Sequence, residues 1–307
     1  MVNARNRSPT PRGHSYSWAT HCRARLDLEI VPLTHADFDD VDLVLRSAYK
    51  RDRPHHTQLM LHLFLQPEGT LVAKADGRTV GFGAITDFGS FSYVGLMATR
   101  PDLQGKGIGR RVLERLVNWA DSRGCPAILL DATPFGAPLY LESGFSDVDT
   151  TIVFRMEEPQ QTRKGPSKIK QLQESDLPRV ASFDSPAFGA NRDRLLRYYW
   201  KDVPDRFMVS HDSKGNVDGY LVAQDLALGP WVVLDDGVAE NLLLGGLQLP
   251  FELTPQVFVS GSNARALNLL GRFGFREQRR LRHMIRGTMV KRARTTRIYG
   301  QASLGFG

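Results

Sequence analysis

Cysteine is nearly missing from this chain. Cys22 and Cys125 are the only two, too few for a disulfide framework, and they point to a reducing, cytoplasmic setting. Cys125 precedes an apolar stretch and reads as a packed thiol. No H-x-E, HExxH or paired CxxC spacing occurs, so no metal site is expected. No apolar run approaches the ~20 residues that cross a bilayer, so no membrane partner is expected. Gly-Lys is never followed by Ser or Thr, which removes the Walker phosphate loop. The first 25 residues contain no acid but five arginines, with Ser, Pro and Thr between them. That is the profile of a disordered basic tail. It also fits a mitochondrial transit peptide, although the prolines and the missing amphipathic pattern argue against one.

Glycine is concentrated at one informative place, the run Gln104-Gly105-Lys106-Gly107-Ile108-Gly109. It lies between an apolar strand, residues 91–98, and an amphipathic helix, residues 110–123. Glycines at such a turn let the chain curl tightly and gather several N–H groups. The helix start adds unpaired N–H groups and the positive end of its dipole. Together they form an anion cradle suited to a pyrophosphate, with Lys106 and Arg110 beside it. The spacing of glycines 105, 107 and 109 falls one residue short of the dinucleotide fingerprint G-x-G-x-x-G.

Reading outward, Leu96-Met97-Ala98-Thr99-Arg100-Pro101-Asp102-Leu103 and the glycine run together resemble motif A of the GNAT superfamily of N-acetyltransferases. Pro138-Leu139-Tyr140-Leu141-Glu142-Ser143-Gly144-Phe145 resembles the second signature of that superfamily. Asp131-Ala132-Thr133-Pro134, a later Asn263 with Gly274-Phe275, and the closing Tyr299-Gly300-Gln301-Ala302-Ser303-Leu304 are similar to a subgroup with two tandem GNAT-like domains. The resemblance implies an α/β fold of two such domains, each a mixed, mostly antiparallel sheet flanked by helices. It implies acetyl-CoA as co-substrate and a primary amine as acceptor.

The pattern along the chain supports the duplication. A chain of 307 residues with 41% apolar content is long enough for two cores. Residues 26–157 alternate strand and helix signals, including a hairpin turn at Asp76-Gly77. Residues 158–168 hold prolines, glutamines and cations without an apolar anchor, as a linker does. The same order of signals then begins again over 169–307. Residues 276–297 hold nine Lys or Arg and one Glu, a large part of the net charge of +7. A solvated basic face is expected there. Nucleic acid is not the expected partner, because no aromatic residues interleave as stacking platforms.

The resemblance places pantetheine along Met97, Ala98 and Thr99, one of whose N–H groups would serve the thioester oxygen. It places the pyrophosphate on the N–H groups of Gln104, Gly105, Lys106, Gly107, Ile108, Gly109 and Arg110. Tyr140 matches the general acid, which its ordinary pKa near 10 suits; a core tyrosine on an amphipathic helix is the other reading. No carboxylate lies on residues 92–96. Asp131, at the end of the fifth strand, is the first candidate base, with a helix cap equally open; Asp87 is the second. In the second half, Leu270 stands where Tyr140 does, and Asp235-Asp236-Gly237 stands where the glycine run does. Acids repel a pyrophosphate, so the second half is not expected to hold CoA productively. It could instead line the acceptor pocket or pair with an edge of the first sheet. A small-molecule acceptor and a monomer or homodimer are expected. A non-catalytic CoA-binding module and an RNA- or ribosome-associated acetyltransferase remain the alternatives.

Overall fold

The structure, a computed structural model, describes residues 27–157, 169–288 and 296–307. The basic tail, the linker and part of the basic run therefore lie outside the described residues. The first half contains β1 (Leu28–Pro32), α1 (Phe38–Tyr49), α2 (His56–Leu65), β2 (Thr70–Ala75), β3 (Arg78–Asp87) and β4 (Ser92–Thr99). It continues with α3 (Ile108–Ser122), β5 (Ala127–Ala132), α4 (Ala137–Glu142) and β6 (Ser146–Met156). The second half contains β7 (Lys170–Gln171), α5 (Leu177–Phe188), α6 (Asp193–Asp202), β8 (Phe207–His211), β9 (Val217–Ala223) and β10 (Leu228–Val233). It ends with α7 (Asp236–Gly246), β11 (Gln256–Ser260), α8 (Ala264–Arg272), β12 (Phe275–Gly287) and β13 (Ile298–Gly300).

Local chemistry explains the main elements. The Thr34 N–H and hydroxyl both bond Asp37 ahead of α1, whose Val41, Val44 and Leu45 then fall on one buried face. Asp76 and Gly77 both adopt left-handed φ, 49° and 73°, the turn whose twist matches a hairpin. α3 buries Val112, Leu113, Leu116, Val117 and Ala120 at helical spacing. Among the described residues there are two sheets, with orders β1-β2-β3-β4-β5-β12-β6-β11 and β13-β10-β9-β8-β7. Within the first, β4 and β5 are parallel and the other neighbours antiparallel.

The halves have traded strands. β6 pairs with β11 of the second half, and β12 pairs with β5 of the first. The traded strands run antiparallel to each other along most of their length. The basic run therefore begins as an interior strand, a different setting from the solvated face expected of it. Its cations still reach water from the sheet and meet acids there: Arg280 with Glu277, Arg282 with Asp147, and Arg286 with Asp121. Insertion between two strands satisfies both edges of β12, which an exposed edge would not.

Two cores cover opposite faces of the first sheet. α3 and α4 pack on Val80, Val94, Ile128 and Leu130. α1 and α2 pack on Val72, Phe82, Ala84 and Ala98. Period-two alternation sends Tyr93 and Leu129 to the side away from α3, where they meet Phe188 of α5. The second half is thereby bolted to the face that also carries α1 and α2. Arg192 is fully buried against Asp184 at 2.8 Å, and Tyr220 donates to the same carboxylate. Removing one partner of such a pair costs about 3–5 kcal/mol. Arg194 donates to the Phe64 and Leu65 carbonyls of α2.

Candidate active site

The glycine run forms an open cradle. Leu103 N–H bonds Arg100 O at 2.9 Å and Gln104 N–H reaches Pro101 O at 3.4 Å, closing a short turn. Gly105 and Gly107 then take φ of 74° and 82°, a region that costs other residues roughly 1–2 kcal/mol. Helical bonding starts only at Arg111, whose N–H reaches Gly107 O at 3.1 Å. The main-chain N–H groups of Gly105, Lys106, Gly107, Ile108, Gly109 and Arg110 thus have no protein acceptor among the described residues. A Cβ built on Gly105 or Gly107 would meet nothing within 4 Å, so solvent or a ligand has access. Two groups expected to serve the anion are engaged otherwise. The Gln104 N–H closes the turn, and the Arg110 guanidinium pairs with Glu142. The exposed Lys106 has no ion pair among the described residues.

Beside the cradle the sheet splits. Pairing between β4 and β5 ends at Val94↔Leu130, although β4 continues to Thr99 and β5 to Ala132. A bulge marks the split: Ala84 faces Gly95 and Phe82 faces Ala98, so Leu96 and Met97 together oppose one residue. Leu96 has φ of +52°, a strained value for a leucine that bulges at functional sites tolerate. Arg100 N–H bonds Val80 O across β3. By alternation Thr99 and Met97 turn their N–H groups into the gap, while Ala98 faces β3.

Two tyrosines meet at this gap from opposite faces. Tyr49, at the end of α1, donates to Met97 O at 3.2 Å. Tyr140, on α4, is buried edge-on against Phe145 with ring centroids 5.9 Å apart. Burial pushes the Tyr140 phenol well above the usual range. Burial raises Tyr49 likewise, with a further upward push from Tyr140. Both hydroxyls therefore stay protonated through neutral and alkaline pH.

Asp131 lies on the α1 side of the sheet, half-buried as a residue but with its side chain fully covered. Tyr93 Oη donates to it at 2.6 Å, Thr151 Oγ1 at 2.6 Å, and His283 Nδ1 lies at 2.9 Å. Its carboxylate has no exposed surface and His283 is 2% exposed. It caps no helix, because Thr133 Oγ1 takes the Gly136 N–H ahead of α4. Its carboxylate meets Tyr93, Thr151 and His283 rather than solvent. Asp87 bonds the Gly89 N–H and pairs with Ser92 at the far end of β4, away from the gap.

Tyr49, Tyr93, Thr151 and His283 escaped sequence reading. Tyr49 extends the apolar stripe of α1 by one turn and looks like core. A signal for His283 was present: Leu281, His283 and Ile285 alternate within the arginine run, as strand residues do.

The second half differs at each corresponding point. α7 begins directly at Asp236, and the Asp235 side chain accepts the Val238 N–H at 2.9 Å. Asp236 binds Arg265 and Tyr299. A cleft of about 460 Å³ remains between α7 and α8, lined by Asp236, Glu240, Arg265 and Arg272. Leu270 is fully buried.

Comparisons with known proteins agree with this anatomy. Residues 36–145 match the acetyltransferase (GNAT) family model, and residues 180–300 match a second acetyltransferase (GNAT) domain model. The uncharacterized N-acetyltransferase YitH of Bacillus subtilis is 26% identical over 174 residues, 54% of this chain and 61% of that protein. The IAA acetyltransferase of Azospirillum brasilense is 34% identical over 115 residues, 36% of this chain and 74% of that protein. Among solved structures, a protein from Pyrococcus horikoshii assigned as an acetyltransferase superposes with a TM-score of 0.82 at 24% identity. The superposition covers 96% of this chain and 99% of that one. A tandem GNAT protein from the clavulanic acid biosynthesis pathway has a TM-score of 0.58 at 16% identity, covering 85% and 98%. At such identities the two structures speak for the fold. The chain belongs to the GNAT acetyltransferase family, as an N-acetyltransferase with two tandem GNAT domains.

Proposed function

We propose that this protein is an acetyl-CoA-dependent enzyme that acetylates a primary amine of a small molecule by direct attack in a ternary complex. The observation that carries the reading is the row of six acceptor-free N–H groups from Gly105 to Arg110, beside a gap flanked by Tyr49 and Tyr140. Such a row at a helix start suits a diphosphate. Acetyl-CoA, when bound, supplies the thioester carbon that the amine attacks. Met97 and Thr99 would pair their gap-facing N–H groups with pantetheine and the thioester oxygen, where negative charge develops. Tyr140, held protonated by burial, would hand a proton to the departing thiolate. Asp131 borders the split, but its carboxylate is held by Tyr93, Thr151 and His283, and Asp87 lies at the far end of β4, so we assign removal of the amine proton to water. Proximity supplies most of the acceleration.

Pairing of the β12 cations with Glu277, Asp147 and Asp121 favours a small acceptor over RNA, which would compete for them. Among the described residues no helix is long and apolar enough to cross a membrane. We take the setting to be cytoplasmic, in line with the two cysteines. The test is titration with acetyl-CoA followed by a CoA-release assay over amines, amino acids, polyamines and aminoglycosides, with Tyr140→Phe in parallel. We expect binding in both proteins and turnover about 100-fold lower in the variant. Absence of acetyl-CoA binding overturns the reading; binding without turnover on any amine leaves a CoA-binding module.

A further inference from the structure

The acceptor side of the gap carries an unusual concentration of positive charge. Arg279 on β12 faces Val153 of β6. It lies beyond the end of β5, whose pairing with β12 reaches only Ala132↔Arg282. Cross-strand partners share a face, and Arg155 stands two residues past Val153, so Arg155 and Arg279 project from the same side. By the same register, Thr151, His283 and Asp131 lie on that side, away from α3. Arg51 and Arg53 occupy the connection between α1 and α2, the helices on this face. Tyr49, at the rim of the gap, joins the group.

The electrostatics agree with the geometry. Burial holds Arg279 below the usual guanidinium range, and Arg51 pushes it further the same way. Burial, then Arg51 and Arg53, do the same to Arg155. Like charges have thus been brought within each other's field. The counter-charge is meagre: Arg53 lies 3.7 Å from the exposed Glu252, and Arg155 reaches the Thr254 carbonyl at 3.4 Å. Arg279 is partly buried and has no ion pair or hydrogen bond among the described residues. The other arginines of β12 each meet an acid: Arg276 with Glu157, Arg280 with Glu277, Arg282 with Asp147, and Arg286 with Asp121. A partly desolvated cation is costly without a partner, and the missing partner is one the protein does not supply.

We propose that the acceptor amine also carries an anionic oxygen group, a carboxylate or a phosphate, held by Arg51, Arg53, Arg155 and Arg279. Planar guanidinium forks match both groups in pairs of hydrogen bonds. The site is separate from the diphosphate cradle, which opens at the start of α3 on the opposite face of the sheet. It orients the acceptor so that its amine points past Tyr49 toward the thioester. This inference rests on the reading above and names the substrate class of the same site.

Two measurements test it. The first compares matched acceptors in the CoA-release assay: amino acids against their decarboxylated amines, and phosphoethanolamine against ethanolamine. We expect kcat/KM at least tenfold higher for an anionic member. For that acceptor, Arg279→Gln should raise KM about 10- to 100-fold and leave acetyl-CoA affinity unchanged. Arg51→Gln, on an exposed loop, is the companion variant should Arg279→Gln fold poorly. The second measures the rise in Tm with malonate and with inorganic phosphate, with CoA saturating the cradle. We expect the rise in the unaltered protein and its loss in Arg279→Gln; the larger of the two rises separates carboxylate from phosphate. A preference for neutral or cationic amines, or equal Tm shifts in protein and variant, overturns the proposal while leaving acetyl transfer intact. A lost malonate or phosphate shift in a protein that acetylates nothing supports the anion site and refutes the enzymatic reading instead.

Discussion

α3 and α7 begin in opposite ways. Ahead of α3 a turn with two left-handed glycines leaves six N–H groups free for an outside anion. Ahead of α7 only Leu234 and Asp235 connect to β10, and the Asp235 carboxylate takes an N–H of the first turn itself. A helix start offers the same positive end in both places; the difference is whether the chain fills it. The second half fills it with its own acids and, at Leu270, lacks the phenol that Tyr140 offers. It has kept the framework of the fold with its corresponding helix start capped by its own acid. What it contributes is β12, with Arg279 and with His283 beneath the gap, and the loop beside Arg53 and Arg155.

The most damaging way to break this comparison is to separate the halves. β12 lies between β5 and β6, so residues 27–157 alone leave β5 with an open edge and β6 without a neighbour. Neither half expressed alone should unfold cooperatively in urea, whereas co-expression should restore one transition; independent transitions would show that the strand trade is dispensable. Next in size, Gly107→Val forces a branched residue into left-handed φ at the cradle. Acetyl-CoA affinity should fall tenfold or more, read by calorimetric titration. A third test uses pH. Burial pushes His62 down to about 3, and its ring packs at a tilt against Phe306 of the second half, centroids 4.3 Å apart. In the unfolded chain it takes up a proton below about pH 6.5, while the folded protein does not until about pH 3. Stability should therefore be lost as pH falls through that window, at up to about 1.4 kcal/mol per pH unit. Urea midpoints at pH 5 and pH 7.5 should differ less in His62→Leu; equal differences would remove His62 from the account. The mildest change is Asp235→Ala, expected to cost about 1 kcal/mol of stability with no change in acetyl-CoA affinity. A gain in affinity would mean that the second cleft is blocked by this cap alone.

The cradle was legible because its cause is local. Gly105 and Gly107 need left-handed φ wherever they stand in this turn, and a helix must expose its first N–H groups. The position of Tyr140 on α4, beside Phe145, was legible from its place before Gly144-Phe145. Asp131 was found by position but not by state, since its donors Tyr93, Thr151 and His283 come from three other strands, up to 152 residues away in sequence. The arginine run shows the same limit. Read alone it is a solvated basic stretch; the register with β5 and β6 separates Arg279 from its acid-paired neighbours.

The sequence by itself determined the order of elements in the first half, the duplication, and a glycine turn ahead of α3 that has no counterpart ahead of α7. Each of these depends on φ preferences, helix ends and periodicities felt within a few residues. Only the tertiary structure decided that the halves trade strands, that Tyr49 and Tyr140 meet through a split sheet, and that four arginines converge on one face. Those follow from pairing between segments from about 36 to more than 100 residues apart, where register and burial, not local propensity, choose the neighbours.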